Sequence, residues 1–164
     1  MRKLIVAGVA GLALAAVAAL AMAATHPTLR TAANAALGKT IVVNARGLTV
    51  YELRGETSRH LLCKKTNGCF ALWPPVTVKS AKTKPTATHG VKGRLGVLHR
   101  NGIFQVTLSG HPLYRFSGDS SRKGQTTGDG LQSFGGTWHV VAVSTSTTMN
   151  STPPPPPPPP QYPY

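Results

Sequence analysis

The sequence offers the same pair of chemical groups twice: Tyr51 with Glu56, and Tyr114 with Asp119, a phenol five residues ahead of a carboxylate in each case. Two acids and two tyrosines that converged could hold a cation or a ligand. A calcium ion, however, wants roughly six to eight oxygens, and two carboxylates fall short of that. Each acid instead follows a short apolar run and sits beside a glycine, Gly55 or Gly118, where a carboxylate can accept the backbone amides of a turn and fix a chain reversal. We expect that structural role for Glu56 and Asp119. A second cluster is Cys63, Cys69 and His60. Outside a reducing cytoplasm, the only two cysteines of a chain are expected to form a disulfide. As free thiolates they would instead join His60 in a soft site suited to copper or zinc, although the five-residue spacing matches no common zinc pattern. The other histidines, His26, His89, His99, His111 and His139, form no metal-binding spacing. Gly118-Asp119-Ser120-Ser121 echoes a serine-protease nucleophile segment but lacks the glycines that should follow the serine. The expectation is a non-enzyme with no catalytic residue, no cofactor and no metal.

The compartment is read from the first residues. Arg2 and Lys3 precede an apolar run from Leu4 to Ala24 that ends in the small-x-small site Ala21-Met22-Ala23, the three parts of a secretory signal peptide. Residues 1–23 are therefore expected to be removed on export. The run is also long enough to span a bilayer, but it is mostly Ala, Val and Gly, which insert weakly. No cysteine stands near its end to accept a lipid. A secreted or periplasmic chain follows, with no transmembrane segment after cleavage. Residues 24–37, rich in Ala and Thr, read as a linker. At the other end, Pro153 to Pro160 are eight consecutive prolines, which form a polyproline II rod about 25 Å long at about 3.1 Å per residue. Residues 146–164 are expected to be a Ser/Thr- and Pro-rich tail outside the fold, and both termini to be disordered.

Between the ends, no segment has the helical repeat of apolar positions, whereas several alternate with period two. Ile41–Val43, Leu48–Leu53, Val76–Val78, Leu95–His99, Ile103–Leu108, Pro112–Phe116 and Thr137–Val143 are candidate strands. Asn101-Gly102 separates two of them and favours a two-residue hairpin turn. Short strands punctuated by Gly, Asn and Ser predict an all-β domain, a small sandwich or partly open barrel.

That domain is duplicated. Residues 47–56 align without gaps on residues 110–119, with glycine, tyrosine and glycine identical at Gly47/Gly110, Tyr51/Tyr114 and Gly55/Gly118. Val50/Leu113, Leu53/Phe116 and Glu56/Asp119 recur in kind, and a tryptophan follows each copy, Trp73 and Trp138. Two β units, about 38–78 and about 94–143, are expected to share one core within a domain spanning 38–145. In strand geometry Tyr51 and Leu53 face one way and Val50 the other, and Tyr114, Phe116 and Leu113 repeat that arrangement.

The tyrosine-x4-acid pattern used twice, with Cys63 to Cys69 leading into Trp73-Pro74-Pro75-Val76 in the first copy and Gly135-Gly136-Thr137-Trp138 closing the second, resembles the bacterial family of secreted repeats of unknown function, the predicted lipoproteins with a tyrosine-x4-aspartate motif. The resemblance covers about residues 38–143. It implies an extracytoplasmic repeat protein and brings no activity with it. The first copy departs from the pattern with Leu53 for the aromatic and Glu56 for the aspartate, and the lipid-bearing cysteine is absent.

The chain carries 18 Lys and Arg against 4 Asp and Glu, a formal net charge of +14. Lys64, Lys65, Lys79, Lys82, Lys84, Lys92, Arg94 and Arg100 spread over the middle of the domain, and such a field attracts polyanions by long-range, salt-sensitive attraction. The expected partners are anionic cell-wall or membrane-surface polymers. Nucleic acid fits less well, because single-strand binders interleave exposed aromatics with their cations and the aromatics here belong to the duplicated core motif.

Overall fold

A computed structural model describes residues 26–143. The predicted signal peptide at 1–23 and the tail at 146–164 lie outside the described residues. Nine strands follow one another: β1 (Leu29–Asn34), β2 (Lys39–Asn44), β3 (Tyr51–Leu53), β4 (Thr77–Val78), β5 (Leu95–Arg100), β6 (Ile103–Leu108), β7 (His111–Pro112), β8 (Gln132–Ser133) and β9 (Gly136–Val140). One helical turn, α1 (Cys69–Leu72), is the only α-helix among the described residues. The strands form antiparallel groups, β1 with β2, β3-β9-β8, and β4-β6-β5 with β7 added to β6, and none of these sheets closes into a barrel.

The linker expected over 24–37 is corrected in part: Leu29–Asn34 is a strand that pairs along its whole length with Lys39–Asn44. Leu29 is its one large apolar residue and is fully buried. The Leu29 amide donates to the Thr86 carbonyl and its carbonyl accepts from Thr88, which ties β1 into the body of the domain. The β1–β2 hairpin corresponds to the β5–β6 hairpin of the second half. That second hairpin turns on Asn101 and Gly102, both at positive φ, as the Asn-Gly pair predicts. Another two-residue turn, Phe134-Gly135, joins β8 to β9 with both residues at positive φ; here a phenylalanine takes a conformation that L side chains seldom adopt, while its ring packs on the core.

The two halves are intertwined after each tryptophan. Val50 donates its amide to Val42, Val42 to Val141 and Val141 back to Val50, a closed cycle of 2.7–3.0 Å bonds. Leu113 donates to Val106, Val106 to Val76 and Val76 to Leu113 in a second cycle of 2.8–3.0 Å bonds. Each cycle takes two strands from one half and the strand after the tryptophan from the other. The six side chains point together into one apolar cluster with Leu29 and Leu108. The alternate residues form the second cluster, where Ile41, Val43, Leu53 and Val140 surround Tyr51, Tyr114, Trp73, Trp138 and the two cysteines. Period-two alternation thus divides one strand between two cores, as expected for Tyr51 and Leu53 against Val50.

Trp73 and Trp138 stack at 3.7 Å between ring centroids with planes 6° apart. Tyr51 meets Trp73 edge-on at 5.4 Å and Tyr114 meets Trp138 edge-on at 5.1 Å. Gly136 lets β9 approach β3: a methyl group there would press on the Arg54 carbonyl oxygen and the Leu53 side chain. Gly136→Ala is expected to lower stability by about 1–3 kcal/mol, the usual cost of overpacking. An unchanged denaturation midpoint would show that β3 and β9 are not so closely apposed.

Candidate functional site

The duplicated tyrosines meet at the centre of the molecule. Tyr51 and Tyr114 exchange backbone hydrogen bonds in both directions, 2.9 Å each, so that the two halves are joined there by an antiparallel bridge. From this bridge the side chains cross over. Tyr51 donates its hydroxyl to Asp119 Oδ2 at 2.7 Å, and Tyr114 donates to Glu56 Oε2 at 2.7 Å. Each half thereby supplies the tyrosine for the carboxylate of the other.

The second oxygen of each acid fixes its own loop. Glu56 Oε1 accepts the amides of Leu62 and Cys63 at 3.0 and 2.9 Å. Asp119 Oδ1 accepts the Thr127 amide at 3.0 Å and the Thr127 hydroxyl at 2.7 Å. The turn-holding role expected for the two acids is what the geometry displays, with the addition of the exchanged tyrosines. All four side chains are buried. The cavity beside Asp119 is about 40 Å³, too small for an organic substrate, and the four groups form two separate locks rather than one open cleft.

Burial is the main cause that raises both phenols far above the ordinary tyrosine range. A hydrogen bond to Asp119 and its charge add to the rise at Tyr51; the Glu56 charge and hydrogen bond do so at Tyr114. Arg100 opposes the rise at Tyr114. Its guanidinium bonds to the Tyr114 hydroxyl, to the Cys63 carbonyl at 2.8 Å and to Gln105 Oε1 at 2.7 Å, and it lies 4.9 Å over the Phe70 ring. Arg100 is therefore corrected from a surface cation to a structural one. Sequence reasoning had no means to find this role, because Cys63 and Tyr114 lie 37 and 14 residues away and only the folded strands bring them to Arg100.

Cys63 and Cys69 are bonded, with 5.3 Å between their Cα atoms and both residues fully buried. Asn67 secures the enclosed loop: its Oδ1 accepts the Lys64 and Cys69 amides and its Nδ2 donates to Leu62. The disulfide takes both thiolates that a soft metal site with His60 would need, and His60 is exposed. The Ser120 hydroxyl bonds only to the Gly118 carbonyl, at 3.4 Å. His139 Nδ1 lies 3.6 Å from Asp129 Oδ1. Trp138 donates its indole to Ser133 at 2.9 Å, while the buried indole nitrogen of Trp73 has no partner. Phe116 is half-buried against Trp73 at 4.5 Å between centroids.

The seven other cations, Lys64, Lys65, Lys79, Lys82, Lys84, Lys92 and Arg94, are all exposed. The structure does not gather them into one cleft.

Residues 97–142 match the model of a protein family described as a secreted repeat of unknown function. The matched segment lies within the second copy, where Tyr114, Phe116 and Asp119 follow the motif in full; the first copy carries Leu53 and Glu56 at the corresponding places. No curated protein and no solved structure matches the chain.

The exchanged pairing is testable by double-mutant cycles. Tyr51→Phe and Asp119→Asn should couple by about 1 kcal/mol or more, as should Tyr114→Phe and Glu56→Gln. Tyr51→Phe with Glu56→Gln should add within about 0.5 kcal/mol. Coupling of the tyrosine and acid of the same half would refute the exchange. The raised phenols also set a pH limit. The folded state holds both protons above the ordinary tyrosine value of 10.0, while the unfolded chain loses them, so stability is unaffected below about pH 10 and falls as pH rises beyond it. Ultraviolet titration should show Tyr51 and Tyr114 ionising only as the protein unfolds; two-step ionisation of all four tyrosines in the native fold would contradict this.

Proposed function

We propose that this chain, whose residues 97–142 are a secreted repeat of unknown function, acts outside the cytoplasm as a noncatalytic module that binds anionic envelope polymers through its basic surface. The observation that carries this reading is a segregation of charge. Of the four acids in the chain, Glu56 and Asp119 are buried in the two locks, and Asp129 accepts the Val140 amide at 2.9 Å and faces His139. Lys64, Lys65, Lys79, Lys82, Lys84, Lys92 and Arg94 all point into solvent without an ion pair. Three of the four acids thus serve the fold, Glu52 alone standing half-exposed on β3, and the outer surface is left cationic, a field that draws in polyanions.

The noncatalytic part of the reading is supported by the same residues. The two phenols and two carboxylates that the sequence offers for chemistry are engaged with one another and with turn amides. Nucleic acid is disfavoured because Tyr51, Trp73, Tyr114 and Trp138, which could serve as stacking platforms, are fully buried.

Purified exported protein should sediment with cell-wall material at low ionic strength and be released by added salt, with neutral polysaccharide as the control. A charge near an anionic surface is worth about 1 kcal/mol, so Lys64→Gln, Lys65→Gln and Lys92→Gln should each weaken retention roughly fivefold at low salt. Retention that ignores salt, or no retention at all, would refute the polymer-binding reading.

A further inference from the structure

One cleft brings cations together in a way the diffuse surface does not. It has a volume of about 370 Å³ and is lined by Arg46, Lys79, Arg115 and His26 among neutral residues that include Asn44 and Thr77, with no carboxylate. That volume is near the small end of the roughly 300–1,000 Å³ range of ligand sites. The backbone beneath the cations is fixed. Asn44 Oδ1 accepts the amides of Arg46 and Leu48 at 2.9 and 3.1 Å, and Gly47 donates to the Asn44 carbonyl at 2.9 Å, so Arg46 projects from a closed turn. The Arg115 amide is bonded to the Pro74 carbonyl at 2.9 Å, opposite that turn.

Neither guanidinium has a hydrogen-bonded or ion-pair partner among the described residues. Arg115 is half-buried, and desolvation first and the charge of Arg46 second hold it below the usual arginine value. Two close, uncompensated guanidiniums repel one another, and the repulsion is relieved when an anion lies between them. Guanidinium groups match tetrahedral oxyanions through paired N–H donors.

The duplication supplies an internal comparison. At the offset of 63 that relates the halves, Arg46 corresponds to Ser109 and Arg115 to Glu52. The strand position of Arg115 is thus filled in the other half by an acid, and the turn that follows the second hairpin carries Ser109, at positive φ in a shorter loop, where the first carries Arg46. The fold does not require these cations, which leaves their placement to be explained by a ligand.

We propose that the cleft formed by Arg46, Arg115 and Lys79 is a discrete site for one phosphate-class oxyanion. The proposal does not rest on the polymer-binding reading, because the site takes a single small anion and shares only Lys79 with the exposed set. Its ligand chemistry is that of inorganic phosphate, of a glycerol-phosphate unit in a wall polymer, or of a lipid headgroup.

The test is titration of purified exported protein with inorganic phosphate at constant ionic strength, followed by amide chemical shifts. Saturable shifts are expected at residues 44–48, 75–79 and 115, and acetate at the same concentration should bind at least tenfold more weakly. Arg115→Gln should weaken phosphate binding at least tenfold. Arg46→Ser, at an exposed position whose side chain bonds to nothing in the fold, should do the same, while Lys64→Gln with Lys65→Gln should leave the affinity unchanged. Non-saturating shifts, or equal losses in the Arg46 and Lys64/Lys65 variants, would overturn the site and reduce the cleft to part of the general charge. Parallel titrations with a glycerol-phosphate oligomer and with phosphatidylglycerol vesicles then distinguish the source, the tightest arm identifying it. Wall retention lost in the lysine variants with phosphate binding intact would support both the cationic surface and a separate cleft; phosphate binding absent while wall retention persists would sink this one alone.

Discussion

A buried carboxylate is tolerable only when donors surround it, since a polar group taken from water without a partner costs several kcal/mol and a charged one more. Glu56 and Asp119 meet that constraint through exchange. Each takes one donor from the tyrosine of the opposite half and two from the loop that follows it in its own half. Neither half can satisfy its acid alone, so forming one lock requires the other half to be in place. The bridge between Tyr51 and Tyr114 puts both exchanges at the point where the halves meet, and the stacked tryptophans continue the contact on one side. The crossing of Val76 and Val141 into the opposite hydrogen-bonded cycle is the backbone expression of the same interdependence.

The two locks are not copies. In one, Arg100 reaches the Tyr114 hydroxyl and places a cation one hydroxyl away from Glu56; the disulfide-closed loop supplies the amides. In the other, the Gly128 amide donates to the Tyr51 hydroxyl at 3.4 Å where the first has the arginine, the Thr127 hydroxyl donates to Asp119, and the loop is open. The longer glutamate belongs to the half with the disulfide and the arginine, the shorter aspartate to the half with Thr127. Substitution of Glu for Asp at the motif position therefore goes with a different set of donors. A carboxylate with a single fixed chemical task would be less free to change length in this way.

Much of this architecture was legible in the sequence because strand burial writes itself as alternation. The β-branched run at Ile41–Val43, the alternating run at 103–108 and the Asn101-Gly102 turn all stand where expected. β1 was not legible: Leu-Arg-Thr-Ala-Ala-Asn has one large apolar residue, and the strand is held by pairing with β2 and by Thr86 and Thr88. The β8–β9 hairpin was hidden by a turn built on Phe134-Gly135 rather than on Asn-Gly. The duplicated Tyr and acid could be recognised as fold-shaping from their place beside glycine. Which tyrosine serves which acid could not, because local spacing keeps the two copies apart while the answer depends on strands that cross between them. Arg100 lay beyond reach for the same reason.

A duplicated fold separates what the backbone demands from what it merely permits. Positions that must stay alike hold Gly, Tyr and Gly in both halves and sit at turns or in the core. Positions that differ in charge while the backbone stays alike, such as Glu52 against Arg115, are free of that demand. The acids that the fold needs are drawn inward and satisfied by hydrogen bonds, so the duplication leaves a positive surface by subtraction. Charge that is merely left over spreads according to chance along exposed loops, as Lys64, Lys65, Lys82 and Lys84 do. Charge brought into a cleft, with a half-buried Arg115 set against Arg46, incurs a repulsive cost that a scattered surface avoids, and such a cost persists in a marginally stable protein when something bound offsets it.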